Sequence, residues 1–114
     1  MREPIRDKER LQHINDAICR IIDGYRVHQG GIEEGSLEYF GIVKLIEIIG
    51  EAVYKLTLEF KECHPQTPWR QIERMRHVLV HGYYTVGCEF IKEVIETDIS
   101  TLKSQIEQYL TEAD

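Results

Sequence analysis

Apolar residues recur every three or four positions along most of this 114-residue chain. Leu11, Ile14, Ile18, Ile21, Ile22 and Tyr25 share one face of a helix. Pro4 is placed to open that helix, Gly24 lies near its end, and Gly30, Gly31 and Gly35 fall in the loop after it. Ser36 suits the N-cap of a second helix. Along it Ile42, Ile46, Ile49, Val53, Leu56 and Phe60 step by 4, 3, 4, 3 and 4, the seam of an antiparallel bundle. Leu45, Ile48 and Ala52 widen that stripe and predict a central position for this helix. Gly50 weakens a helix by about 1 kcal/mol relative to Ala, so the expected return is close approach of a neighbour.

His64-Pro65-Gln66-Thr67-Pro68 ends the pattern. Thr67 as N-cap with Pro68 at the first helical position predicts the start of a third helix, with Ile72, Met75 and Leu79 as its core line. A last helix follows Gly82 and Gly87 and carries Ile91, Ile95, Ile99, Leu102, Ile106 and Tyr109. No stretch alternates with period two, and no internal repeat stands out. The pattern predicts one all-α domain over residues 1–114, an antiparallel helical bundle of four to five helices.

Composition narrows the setting. With 42% hydrophobic and 30% charged residues the chain has a globular composition, large enough for a single core. The charged opening MREPIRDKER lacks the apolar stretch of a signal peptide, and Lys44, Glu47 and Glu51 interrupt the longest apolar run. No membrane association is expected, and a cytoplasmic location is the default. Cys19, Cys63 and Cys88 form no C-x-x-C pair, so they read as small buried or half-buried thiols. The net charge of −6 argues against bulk coating of nucleic acid, and no DNA partner is expected. Between His64 and His81, however, Arg70, Arg74 and Arg76 face a single acid, Glu73. A local basic patch on an acidic chain suits a small anionic target.

That patch belongs to RMRHVLVHGYY, residues 74–84. On a helical wheel Arg76 and Tyr83 sit at the edge of the core, while His77, His81, Tyr84, Arg70 and Arg74 form a polar, cationic stripe. Three readings compete. The stripe can be a solvated face, with Arg76 paired to a nearby acid. His77 and His81, four residues apart, could share a metal ion, but a third ligand is absent and the arginines repel a cation; no metal and no cofactor are expected. Alternatively, a histidine moves a proton near neutral pH while an arginine grips a phosphate through two hydrogen bonds. RNA supplies its own nucleophile, the 2′-hydroxyl. The difficulty for that reading is the ~140° between Arg76 and His81 on a straight helix. A bent helix, a wrapping Arg76 side chain or a second copy across a two-fold axis would close it.

Arg76-His77-Val78-Leu79-Val80-His81-Gly82-Tyr83 resembles the R-polar-x-x-x-H-x-Y signature of the HEPN superfamily, in its HepT-like branch. IIGEAVYKL (48–56) is similar to that branch's central-helix motif, TPWRQIERMRHVLVHGYY to its motif helix, and IKEVIETDISTLKSQIEQYL to its closing helix. The similarity covers roughly residues 10–110. It implies a homodimeric all-α bundle with the motif helices near the two-fold axis. It also implies a metal-independent endoribonuclease toxin, held in check by a minimal nucleotidyltransferase antitoxin. Arg76 and His81 would be its catalytic pair, with His77, Arg74 and Arg70 as supporting RNA contacts. Tyr83 would be the residue to which the antitoxin transfers AMP. His77 stands where asparagine is common in the branch. Some members of the superfamily are binding modules, so a non-catalytic subunit partnering a nucleotidyltransferase is the alternative.

Overall fold

The expected helices form, and one of them breaks where the periodicity does not. The computed structural model describes residues 5–27, 31–82 and 88–112, and the side chains of all of these except residues 5, 78–82 and 88. Helix α1 spans Ile5–Val27, α2 Leu37–Lys55, α3 Leu58–Cys63 and α4 Trp69–Gly82. The last helix comprises α5 (Cys88–Glu93), a π-helical segment (Val94–Ile99) and α6 (Ser100–Glu112) in direct succession. Among the described residues there is no strand. This is the all-α bundle that the spacing predicts. Pro4, Gly30 and Gly87 lie outside the described residues.

The core is the set of seams read from the sequence. Leu11, Ile14, Ile18 and Ile21 of α1, Ile46, Ile49 and Val53 of α2, and Ile106 of α6 are sealed from solvent. Helix α2 packs against both α1 and α4, and the last helix packs against α1. The second apolar line of α2 is only partly core: Ala52 is buried and Leu45 half-buried, but Ile48 is 39% exposed. Ser36 caps α2 as expected, its Oγ accepting from the Tyr39 N–H at 3.1 Å. Gly35 just before it has φ +78°, a turn conformation that favours glycine.

The predicted seam runs unbroken to Phe60, yet the helix stops at Lys55 and restarts at Leu58. Thr57 is extended, at φ −64° and ψ 151°, and its Oγ1 caps α3 by accepting from the Phe60 N–H at 3.1 Å. The buried Asp7 of α1 holds it there. One Asp7 oxygen accepts from the Thr57 N–H at 2.9 Å and the other from the Thr57 hydroxyl at 2.7 Å. A donor that would otherwise join the α2 ladder is thereby satisfied across fifty residues of chain.

The start of α4 also departs from expectation. The helix begins at Trp69, and the buried Thr67 hydroxyl donates to Gln105 Oε1 at 2.8 Å and pairs with the Tyr109 hydroxyl at 2.5 Å. A side chain expected to cap α4 instead ties its entry to α6. In the last helix Ile91, Ile95 and Ile99 advance by two successive steps of four. All three are buried, and the wider π-helical turn keeps them on one face. Cys19 is half-buried but Cys63 is exposed, which corrects the expectation of covered thiols; the Cys88 side chain lies outside the described residues. No helix among the described residues is long and apolar enough to cross a membrane.

Candidate active site

Helix α4 is anchored at its beginning and pressed against α2 in its middle. The Trp69 indole N–H donates to the carbonyls of His64 at 3.0 Å and Lys61 at 3.2 Å, and Ile72 is buried in the core. One turn further on, α4 crosses Gly50. A Cβ placed on Gly50 would lie 2.4 Å from the Arg76 Cβ, so only glycine permits this crossing. The close approach expected of Gly50 is therefore real, and its neighbour is Arg76.

That proximity brings the Arg76 side chain beside the residue after Gly50. Arg76 Nη2 lies 2.9 Å from Glu51 Oε2, and the other carboxylate oxygen of Glu51 lies 3.4 Å from Lys55 Nζ. Both members of the Arg76–Glu51 pair are about two-fifths exposed, so solvent screening leaves it ~1 kcal/mol of stability at most. Its effect is positional. A guanidinium has five N–H donors, and the pair with Glu51 leaves enough of them for two parallel bonds to a phosphate.

Arg76 and Glu51 stand on the wall of an open cleft of about 510 Å³ between α1, α2 and α4. Arg10 and His13 of α1 and Lys44 and Lys55 of α2 line the same cleft, with Glu47 as a second acid. Lys44 and Glu47 form a loose pair at 3.7 Å. Counting Arg10, Lys44, Lys55 and Arg76 against Glu47 and Glu51, the lining carries a net charge of +2 before any protonation of His13. On a chain of net charge −6 this is a local concentration of positive charge.

The other expected site residues fall elsewhere or outside the described region. Arg70 and His77 are exposed on α4 and do not line this cleft. Arg74 lines a different cleft, of about 450 Å³, between α4 and the last helix. The fold thus joins Arg76 to cations of α1 and α2, and separates it from Arg74 on its own helix. His81 belongs to the last turn of α4, but its side chain lies outside the described residues, as does Tyr83 altogether. Because α4 is helical through Gly82, the backbone of His81 sits roughly 140° around and about 7.5 Å along the helix from Arg76. Among the described residues no group of three or more His, Cys, Asp or Glu is arranged to hold a metal ion. The His77–His81 pairing cannot be read there, since it needs the His81 side chain.

Reading the motif helix alone overlooks Glu51, Arg10, His13, Lys44 and Lys55. Glu51 was within sight, next to the helix-weakening Gly50. Arg10 and His13 leave a fainter signal: with Arg6 and Arg20 they share one face of α1, at steps of 4, 3 and 7.

The chain is similar to a known family and to named proteins. The family described as ribonuclease HepT-like matches residues 11–109. A protein of Thermococcus cleftensis named "Probable ribonuclease HepT" is 38% identical over 69 residues, covering 60% of this chain and 63% of that protein. "Putative RNase TTE0752" of Caldanaerobacter subterraneus subsp. tengcongensis is 43% identical over 68 residues, covering 60% of this chain and 61% of that one. The chain thus spans a little over three fifths of the length of these relatives. No solved structure matches.

Proposed function

This chain belongs to the ribonuclease HepT-like family, and on that premise we propose that it is a metal-independent endoribonuclease whose reaction is centred on Arg76 and His81. The observation that carries the reading is Arg76 itself: a guanidinium steered by Glu51 on the wall of a cationic cleft. In the proposed reaction the ribose 2′-hydroxyl attacks the adjacent phosphorus. The new P–O2′ bond forms as the P–O5′ bond breaks, leaving a 2′,3′-cyclic phosphate and a 5′-hydroxyl. Arg76 holds the non-bridging oxygens and offsets the charge that develops on them. His81 takes the proton from the attacking hydroxyl or delivers one to the leaving oxygen. Glu51 is a positioning residue that keeps the guanidinium aimed.

The same reading includes the regulation implied by the family signature. A minimal nucleotidyltransferase would neutralise this chain as its antitoxin by transferring AMP to the hydroxyl of Tyr83. An adenylate there would bring bulk and negative charge to a residue seven positions after Arg76. A homodimer would bring two motif helices together and shorten the separation between one copy's Arg76 and the other's His81.

The decisive experiment is cleavage of a defined RNA in excess EDTA. Wild-type protein should release cyclic-phosphate ends, while His81→Ala and Arg76→Ala, both folded by circular dichroism, should lose at least about a hundredfold in rate. Full cleavage by His81→Ala would overturn the assignment. Arg76→Lys retains the charge but not the two-pronged geometry and should remain severely impaired. Co-expression with a genomically adjacent nucleotidyltransferase should add AMP to the intact mass, and Tyr83→Phe should abolish the addition. AMP addition without any RNA cleavage by the free chain would favour a non-catalytic binding subunit.

A further inference from the structure

We propose that the basic face of α1 is the track along which the backbone of a single-stranded RNA runs away from the phosphate held at Arg76, an inference that rests on the ribonuclease reading. Arg6, Arg10, His13 and Arg20 lie within an arc of about 80° on α1, and no acid falls inside that arc. The stripe is about 21 Å long, far longer than one phosphate requires. Its middle, Arg10 and His13, lines the cleft that contains Arg76, so the stripe joins a surface whose lining carries a net charge of +2.

Arg10 is the member that most needs an anion. It is half-buried, and it has no hydrogen-bond or ion-pair partner among the described residues. The other cations of the cleft are already engaged: Arg76 and Lys55 with Glu51, and Lys44 loosely with Glu47. A partly covered guanidinium without a counter-charge is a ready ligand for a phosphodiester, which its planar fork matches. Across from it α2 supplies Lys44 as a second phosphate ligand. Ile48, 39% exposed, gives the cleft an apolar patch on which a ribose or base can rest. The net lining charge of +2 attracts a polyanion, while Glu47 and Glu51 keep attraction modest enough for release. Among the described residues the cleft offers no Phe, Tyr or Trp to stack a base, and His13 is the one ring on its wall, so the track should grip backbone with little regard for sequence.

The test compares a dinucleotide, which reaches only the Arg76 phosphate, with a ten-nucleotide RNA that also covers the track. In Arg10→Gln/Lys44→Gln the rise in KM for the ten-nucleotide substrate should exceed that for the dinucleotide by about tenfold, and the slope of log KM against log salt should fall by about 1.4. The control Lys92→Gln/Lys103→Gln, on the side of the last helix facing Tyr25, should behave as wild type with both substrates. Equal losses on the two substrates would overturn the track, since the cleft would then act only at the reacting phosphate or on the fold. No loss on either would overturn it as well, since the RNA would run elsewhere. Wild-type protein that cleaves neither substrate would instead remove the ribonuclease reading on which the track rests.

Discussion

Two residues of the central helix, Gly50 and Glu51, place the guanidinium on which the proposed chemistry depends. Gly50 has helix propensity against it, and its replacement by alanine would ordinarily stabilise an isolated helix by about 1 kcal/mol. Here the added Cβ would meet the Arg76 Cβ at 2.4 Å, an atom at the root of its side chain that cannot swing away. We expect Gly50→Ala to separate α2 from α4 and to destabilise the protein by about 1–3 kcal/mol, read as a lower denaturant midpoint with an unchanged slope. A midpoint at or above wild type would show that the crossing is looser than described. Glu51→Gln makes the complementary statement. It leaves the exposed pair nearly silent in stability, with a change of about 0.5 kcal/mol or less. Its cost should appear in RNA turnover, with kcat reduced more than KM, because an aimed guanidinium matters most when charge develops on the phosphate.

At the scale of elements, the contact between α1 and the α2–α3 junction decides where the central helix ends. Asp7 accepts both polar hydrogens of Thr57 in a buried setting. Asp7→Ala would leave a backbone N–H and a hydroxyl without their acceptor, a loss of about 1–3 kcal/mol. Asp7→Asn, whose carbonyl still accepts one of them, should lose less. Thermal denaturation of the two variants gives the order, and equal melting temperatures would refute it. Contact between α1 and the π-helical segment has its own signature in pH. The Tyr25 hydroxyl donates to Glu96 at 2.5 Å, and burial, reinforced by that carboxylate, pushes its pKa up to about 12. The folded chain thus holds this proton more tightly than the unfolded chain, in which tyrosine titrates near 10. The resulting stabilisation is complete below about pH 10 and is lost as pH rises toward 12. In Tyr25→Phe the fall in stability across this interval should be shallower, measured by denaturant titration at several alkaline pH values. An identical fall would assign the loss to other groups.

For the whole molecule the proposed mechanism turns on pairing with a second copy. The side of α4 between Arg76 and His81 carries the exposed His77 and faces away from the groove lined by Met75 and Phe90. If the motif helices meet across a two-fold axis as proposed, this face is available for that contact. Light scattering should then give twice the chain mass of 13.4 kDa, and His77→Glu should return it to the mass of one chain. A wild-type monomer would remove the dimer from the proposed mechanism, and with it the simplest way past the angular offset of Arg76 and His81.

Much of the bundle was determined by the sequence alone, because a repeat of three and four apolar residues has only one regular structure that buries them on a single face. Leu11, Ile14, Ile18, Ile46, Ile49, Val53 and Ile106 were identifiable as core without any partner being known. The residues from Arg76 to Tyr83, whose roles are proposed above, could be singled out in the same way, since their spacing is local in the chain. The end of α2 at Lys55 was not legible, because its cause is Asp7, fifty residues from Thr57. The same holds for the Thr67 hydroxyl, drawn to Gln105 and Tyr109 rather than to its own helix. The company Arg76 keeps was likewise decided only in three dimensions. Helical periodicity groups it with residues of α4, but the crossing at Gly50 turns it to Glu51 and into a cleft shared with Arg10, His13, Lys44 and Lys55. Periodicity carries information along one helix; which helices touch, and where, depends on contacts between positions that are distant in the chain.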